Sequence, residues 1–587
     1  MEKIFYIISV MFLIFSYLLF FKSKKKLSIV REIIYSICLF YCYNVLVVHV
    51  VYLFKQTGTF FLYGSINIII SIILGVITLI TKRKQQYYFK KREFLFFGLF
   101  FVLFMLLGYL RFHGGRLIHY ESVDASIHYR CALHFSETLS TLTKENSKDL
   151  VYGNFERGMS ISYVNGGFLI RILSFIKSYR VFLLHDTISF AITGLIFLST
   201  LFQLFKKRNY FYYASLMFLY SFSFLLNSYS FGFSYLTLGM MVVNLLFLTV
   251  LSYEKEWEEN VLFKILILFI LSFSVFFSYY LFVPCIYLAL GIYYIKLYQD
   301  KEISFKQMSF YGIFTLILPF FIGFFYFVFP TFFKVKGGVA TAIALDGYIY
   351  NNKTPSYFFA FFFFYLVYFE RKFQKENTYL VLNFYFISFY IVLFFVLFVF
   401  HLSGEYYFHK LFYLYSIFVI LYFGIKLENK KKYVYLFTFL TLGSMLLIRG
   451  MDDNKLTNLL SKLNVYNWNS YSFNQNRTLI DEDELLLIEE STKYKDVCSY
   501  HHEFINAGKR LRNYWFYAIT NEIPLAGYCK DNKDGLNQEN ISLSWWRNLE
   551  DYPCIVYFYD DKVIDSSIYQ YQILYQNEGG AILKKVN

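Results

Sequence analysis

The sequence predicts a mainly α-helical fold, a polytopic transmembrane bundle of about 14 spans, with a small C-terminal extracytoplasmic α/β domain. Three observations predict it. Of 587 residues, 57% are hydrophobic and 17% charged, against roughly 45–50% and about 25% in a soluble domain, and the mean hydropathy is +0.44. The apolar residues gather into runs close to the ~20 needed to cross about 30 Å of hydrocarbon. Basic clusters fall in alternate connections between those runs, which is the positive-inside pattern. A single soluble enzyme is excluded, and with only 6 prolines so are Pro-rich linkers.

The candidate spans are 4–21, 33–54, 59–81, 93–111, 182–204, 209–227, 233–252, 262–278, 280–298, 308–329, 356–370, 379–400, 411–426 and 433–449. The first follows Met1-Glu2-Lys3 and lacks a small-residue cleavage site, so it reads as a retained span rather than a removed signal peptide. The stretch 262–298 is unbroken and must be split into a hairpin near Ser278-Tyr279, while 356–370 is short for a span.

Each added or lost span would flip every later loop, so charge tests the count. One set of alternate loops carries Lys22 to Arg31, Lys82 to Arg92, Lys206 to Arg208, the single Lys255, Lys296 to Lys306, Arg371 to Lys375 and Lys430 to Lys432. The other short loops hold only Lys55, Lys334, Lys336, Lys353 and Lys410. The clustered side is the cytoplasm, and the protein is a multi-pass protein of the plasma membrane. The net charge of +15 is then a topology signal, with anionic lipid headgroups as partners and nucleic acid excluded. The same parity puts residues 112–181 and 450–587 on the outer face, dividing the chain into a transmembrane part, 1–449, and an outer α/β domain, 450–587.

Ion-coupled carriers bury ionised groups in mid-membrane, yet the span interiors hold neutral Asn44, His49, Asn67, Asn244 and Asn383, with Lys264 near a cytoplasmic end. These residues read as interhelical hydrogen-bonding groups. No half-to-half repeat of broken helices is evident, so a secondary transporter is disfavoured.

After the fourth span the sequence runs from Arg116 to Phe135 through Glu121, Asp124 and His128. On a helix these three sit at i, i+3 and i+7 and share a face, with Ile127, Cys131 and His134 on another. Such an amphipathic helix suits the membrane interface. A carboxylate beside an imidazole there is placed to take a proton from a sugar hydroxyl. It equally suits a solvated surface helix. Asp124 and Glu121 with a histidine are also acceptable ligands for a divalent metal such as Mg or Mn, without a firm fourth ligand.

Many short spans, a first large outer loop with an Asp124-x-x-x-His128-Tyr129 helix, and a C-terminal outer domain resemble the GT-C superfamily of polyprenyl-phosphate-dependent membrane glycosyltransferases. The resemblance implies a GT-C-like bundle in which Asp124 acts as general base or helps bind metal, with Glu121 as a secondary candidate. Its acidic pair is not adjacent, and three spans precede the one leading into the loop, which implies an added N-terminal helical block.

Further candidates lie on the same face. Tyr152 to Gly158 and Tyr163 to Gly167 form a Gly- and Asn-rich, re-entrant or interfacial passage whose glycines turn chemistry explains. His185 and Asp186 stand at the outer end of the fifth span, where they could meet a phosphate or the Asp124 helix. The loop Pro330 to Pro355, with Lys334 and Lys336, has the length of a lid or binding loop. Lys410 opens the thirteenth span, beside His409 and Glu405, and offers a cation to a lipid phosphate or snorkels to headgroups.

The C-terminal segment reads as helices at 481–490 and 507–518, a strand at 554–559 and a hairpin over 571–584. Cys498, Cys529 and Cys554 permit one disulfide of undetermined pairing. Trp515, Trp545, Trp546 and Arg547 read as core packing or sugar-stacking groups. The 75 Phe and 58 Tyr are compositional background.

The expected function is transfer of a sugar from a polyprenyl-phosphate donor to an envelope glycan, lipid or protein acceptor. Asp124 would be the base, His128 its orienting partner and Lys410 the counter-charge. The alternatives are an envelope polysaccharide polymerase or ligase, and a non-enzymatic glycolipid translocator or assembly protein.

Overall fold

A computed structural model of the chain describes residues 1–20, 27–54, 58–81, 86–120, 122, 124–140, 160–205, 209–254, 256–333, 378–402, 405–436, 438–439, 479–494, 502–503, 515–516, 518–520, 554–558 and 571–586. Among them, nine helices are long and apolar enough to cross a membrane, or ten if a pair bent by 69° after Lys426 counts as one span. These helices make the chain a polytopic helical membrane protein. The expected spans at 356–370 and over most of 433–449 lie outside the described residues.

The first block comprises α1 (Glu2–Phe20), α2 (Ile29–Leu53), α3 (Phe60–Thr81) and α4 (Lys91–Phe112). Helices α1 and α3 pack side by side and keep large apolar side chains such as Ile8, Phe12, Ile73 and Leu79 exposed, as lipid-facing helices do. At one end of this block β1 (Leu27–Ser28) pairs parallel with β2 (Tyr87–Tyr88). There Arg31 Nε lies 3.1 Å from the buried Glu93 carboxylate, and Arg31 Nη2 donates to the Tyr88 hydroxyl at 2.8 Å. The starts of α2 and α4 thus meet at one end of the bundle.

At the opposite end of α4 the chain passes β3 (Ile118–His119) into α5 (Asp124–Thr138), then α6 (Ile161–Ile172) and α7 (Ser178–Leu204). Helix α7 is buried nearly throughout. It is followed by α8 (Tyr210–Tyr220), α9 (Leu226–Ser230) and α10 (Ser234–Ser252). A π-helical turn, Ser221–Leu225, joins α8 to α9.

Helices α11 (Val261–Tyr279) and α12 (Val283–Gln299) form the hairpin expected near Ser278-Tyr279. Tyr279 is extended, with φ −153° and ψ 98°. The Tyr287 hydroxyl donates to the Ser272 carbonyl at 2.9 Å, and the Trp257 ring near the start of α11 lies 5.9 Å from Tyr293 near the end of α12. The two helices therefore run antiparallel.

The remaining apolar helices are α13 (Phe305–Gly312), α14 (Leu318–Gly323), α15 (Thr378–Val399) and α16 (Glu405–Lys426). Pro319 follows a π-helical segment, Ile313–Ile317, where the missing amide donor is accommodated.

In the C-terminal part, β4 (Leu479–Ile480) leads into α17 (Glu482–Ser491). Asp481 and Glu484 cap α17 reciprocally: the Asp481 carboxylate accepts from Glu484 N, and Glu484 accepts from Asp481 N. Strands β5 (His502–Glu503), β6 (Cys554–Phe558), β7 (Tyr571–Asn577) and β8 (Gly580–Lys585) form a sheet ordered β5-β6-β8-β7. The expected hairpin is β7-β8, and Asn577 Oδ1 closes its turn by accepting from Gly579 N and Gly580 N. Residues 507–514, Trp545, Trp546, Arg547, Cys498 and Cys529 lie outside the described residues.

The C-terminal part is tied to the first long loop. Strand β4 pairs antiparallel with β3, Ile480 opposite Ile118. Arg116 lies 3.7 Å from Glu482 and Lys177 3.2 Å from Glu489. Loop and C-terminal part therefore share one end of the bundle, opposite the Arg31–Glu93 pair.

Candidate functional site

Asp124 is the first residue of α5. Its backbone N–H donates to the Ser122 hydroxyl at 3.1 Å, which fixes the helix start much as an N-cap does. The expected Glu121–Asp124–His128 face is helical from Asp124 onward, and Glu121 lies outside the described residues. Asp124 and His128, four apart, share one face of α5.

His128 is buried at 7% exposure. Its Nδ1 shares a 2.9 Å hydrogen bond with the Tyr163 hydroxyl of α6, and its ring meets Tyr235 of α10 edge-on at 4.7 Å. The other ring nitrogen, Nε2, is buried with no hydrogen-bond partner among the described residues.

Lys410 reaches the same place from α16 and is fully buried. Its ammonium lies 3.9 Å from the Phe233 ring centroid and 4.9 Å from that of Tyr235, and donates to the Tyr235 hydroxyl. Aromatic faces and the Tyr235 hydroxyl thus help to hold the buried cation.

Two elements far apart in sequence, α5 and α16, thus bring a carboxylate, an imidazole and an ammonium together. Burial raises the Asp124 carboxyl above its ordinary range, while the Lys410 charge and the Ser122 hydroxyl pull it back. The His128 imidazole is pushed down to about 3, first by burial and then by the Lys410 charge, so it is neutral at physiological pH. A carboxylate raised toward neutrality beside a neutral imidazole is suited to accepting a proton from a weak acid.

The packing that holds α5 against α6 depends on Gly167. A Cβ at that position would sit 2.6 Å from the Ala132 carbonyl oxygen, and Tyr163 to Gly167 are helical. The expectation that turn chemistry explains this glycine is therefore corrected. Gly167 is there for close helix approach, which is the role of small residues in membrane bundles.

His185 and Asp186 lie apart, in an enclosed cluster. Asp186 Oδ2 accepts a 2.7 Å hydrogen bond from Tyr120, and His185 Nδ1 is 3.7 Å from Asp186 Oδ1. Their exposures are 0% and 2%, so they face protein rather than headgroups. The pair was expected to meet a phosphate or the Asp124 helix, and in the structure α5, α6 and α7 pack together around it. His409 lies in α16 beside Lys410; its side chain, that of Glu405, and Lys334 and Lys336 lie outside the described residues.

Among the described residues no three His, Cys, Asp or Glu side chains are grouped to hold a metal ion. Sequence reasoning missed Tyr163, Phe233 and Tyr235, which no local signal separates from 75 Phe and 58 Tyr. Comparison with known protein families, curated proteins and solved structures finds no match for the chain.

Proposed function

We propose that the chain is a membrane glycosyltransferase that moves a sugar from a polyprenyl-phosphate donor to a hydroxyl of an envelope glycan, lipid or protein acceptor in the outer leaflet. The observation that carries the reading is the gathering of Asp124, His128 and Lys410 at one end of the bundle. The resemblance of the Asp124-to-Tyr129 motif, the many short spans and the large first outer loop to GT-C enzymes supports it.

In this reading the Asp124 carboxylate takes the proton of the acceptor hydroxyl as its oxygen bonds to the anomeric carbon. The bond from that carbon to the phosphate oxygen breaks, and the polyprenyl phosphate departs with the electron pair. Lys410 offsets the negative charge that grows on the departing phosphate. Neutral His128 keeps one ring edge on Tyr163 and turns Nε2 toward the reacting groups, where it can hydrogen-bond the acceptor. The apolar walls around Lys410 exclude water and so strengthen these charges. The C-terminal α/β part, tied to the loop by β3-β4 pairing, would form the outer wall of the acceptor side.

The test uses full-length protein in nanodiscs with labelled polyprenyl-phosphate sugars and envelope acceptors. The wild-type protein transfers label, and Asp124→Asn loses transfer by about 10³-fold while remaining folded and inserted. Transfer by Asp124→Asn at the wild-type rate would sink the proposal. Donor movement between leaflets without any transfer would instead favour a translocator.

A further inference from the structure

Trp515 lies far along the chain from the proposed base, yet it is fully buried against the stretch that carries it. Its ring stacks on Tyr120 at 6.1 Å and 6°, and on Tyr129 at 5.4 Å and 25°. These tyrosines flank Asp124 on both sides in sequence, one just before α5 and the other in its second turn.

Each tyrosine is anchored at its far end. Tyr120 donates to Asp186 on α7 at 2.7 Å, and Tyr129 shares a 2.7 Å hydrogen bond with Ser178 at the start of α7. The Phe182 ring, also on α7, meets Tyr129 at 5.6 Å. The start of α5 is therefore held between α7 on one side and a single indole from the C-terminal part on the other. The Trp515 Nε1 is buried with no hydrogen-bond partner among the described residues, so the ring acts there by shape and stacking rather than by donation.

We infer that Trp515 is a positioning residue: by stacking on Tyr120 and Tyr129 it fixes the first turns of α5 and hence the place of Asp124. The C-terminal part then contributes to the site through this contact. The neighbouring tie from Arg116 to Glu482 joins two exposed groups, and that from Lys177 to Glu489 joins an exposed lysine to a half-buried carboxylate; pairs with an exposed partner contribute little to fixing a helix start. The catalytic side of this inference rests on the transferase reading; the mechanical side does not.

The experiment compares wild type, Trp515→Ala and Trp515→Phe as full chains in nanodiscs, by amide hydrogen exchange and by sugar transfer. Trp515→Ala is expected to speed exchange in residues 124–131 about tenfold or more while α3 and α10 keep their rates. Trp515→Phe, which stacks and orphans no donor, returns exchange close to wild type. Transfer by Trp515→Ala falls in kcat by about tenfold to a hundredfold with the acceptor KM within about threefold, because misplacement of a base costs rate rather than binding. Unchanged exchange in α5 would overturn the inference. So would equal loosening of all helices in Trp515→Ala, or a kcat that survives the loosening of α5. Absence of transfer by the wild-type protein would overturn the transferase reading, and the exchange comparison would still decide whether Trp515 holds α5.

Discussion

His128 Nδ1 lies 2.9 Å from the Tyr163 hydroxyl, and this contact decides which edge of the imidazole faces Asp124 and Lys410. Tyr163→Phe removes the tether and leaves a second buried ring nitrogen without a partner. Its stability cost is about 1–3 kcal/mol, read as a lower thermal unfolding midpoint in detergent. Transfer should fall by about tenfold or more, and His128→Ala in the Tyr163→Phe background should add little, because the two groups act as a unit.

The pH dependence of stability follows from the His128 and Asp124 shifts. For His128 the folded value is pushed from 6.5 to about 3. Its contribution is therefore complete above pH 6.5 and is lost as pH falls from there toward about 3, because only the unfolded chain takes the proton. The slope approaches about 1.4 kcal/mol per pH unit. Asp124 has the opposite sign: its folded value is raised, so its contribution is present below its ordinary value of 3.8 and is lost as pH rises through the raised value. Unfolding midpoints measured from pH 4 to 8 should fall on the acid side, and His128→Gln should flatten that fall.

Activity has its own pH limb. Asp124 must be ionised to accept a proton, so the acid limb of kcat/KM should stand above the ordinary carboxylate range. Lys410→Met removes the charge that pulls Asp124 down, and should move that limb to higher pH while cutting the maximum rate by about 10²-fold. A limb that stays where it was would mean that Lys410 does not act on Asp124.

Gly167→Ala places a methyl group 2.6 Å from the Ala132 carbonyl, where backbone must move. It should cost about 1–3 kcal/mol and lower transfer, since α6 carries Tyr163 and α5 carries Asp124. Gly166→Ala meets its nearest neighbour, His185 Nδ1, at 3.3 Å, and should be milder on both measures.

Glu93→Ala serves as the distant control. Glu93 is buried against Arg31 at the start of α4, a helix of 22 residues and therefore about 33 Å long. Removing one partner of a buried pair costs about 3–5 kcal/mol. Thermal stability should drop, with kcat per folded molecule unchanged.

The bundle was legible in the sequence because hydropathy and charge are local, additive signals. Runs of about 20 apolar residues have few alternatives to a span, and a Gly-containing turn after Asn577 announces its hairpin. The break at Tyr279 was legible for a different reason: no span can be 39 residues long and fit the bilayer. Asp124 and His128 could be paired by helical spacing. Lys410 could be noticed as a lone cation on the wrong side, yet its nearness to Asp124 depends on which helices become neighbours, which periodicity does not record. Gly167 was misread because a glycine that bends a chain and one that lets two helices touch look alike in one dimension. Tyr163 and Tyr235 were hidden among more than a hundred other aromatic rings, whereas Trp515, expected as a core-packing or sugar-stacking ring, is buried in the core against Tyr120 and Tyr129.

Ile118 pairs with Ile480 across most of the length of the chain, and this has a consequence for biosynthesis. Membrane helices emerge from the ribosome in order, and the segment bearing Asp124 is made early. Its β3 edge and the tyrosines that meet Trp515 must wait, unpaired, until almost the whole polypeptide has been threaded and the last part has folded. A product stalled before Ile480 would hold Asp124, His128 and Lys410, the groups of the proposed reaction, and still lack the clasp formed with β3, Tyr120 and Tyr129. If the proposed reaction depends on that clasp, synthesis of the stretch from Ile480 to Trp515 would be the step that readies the site.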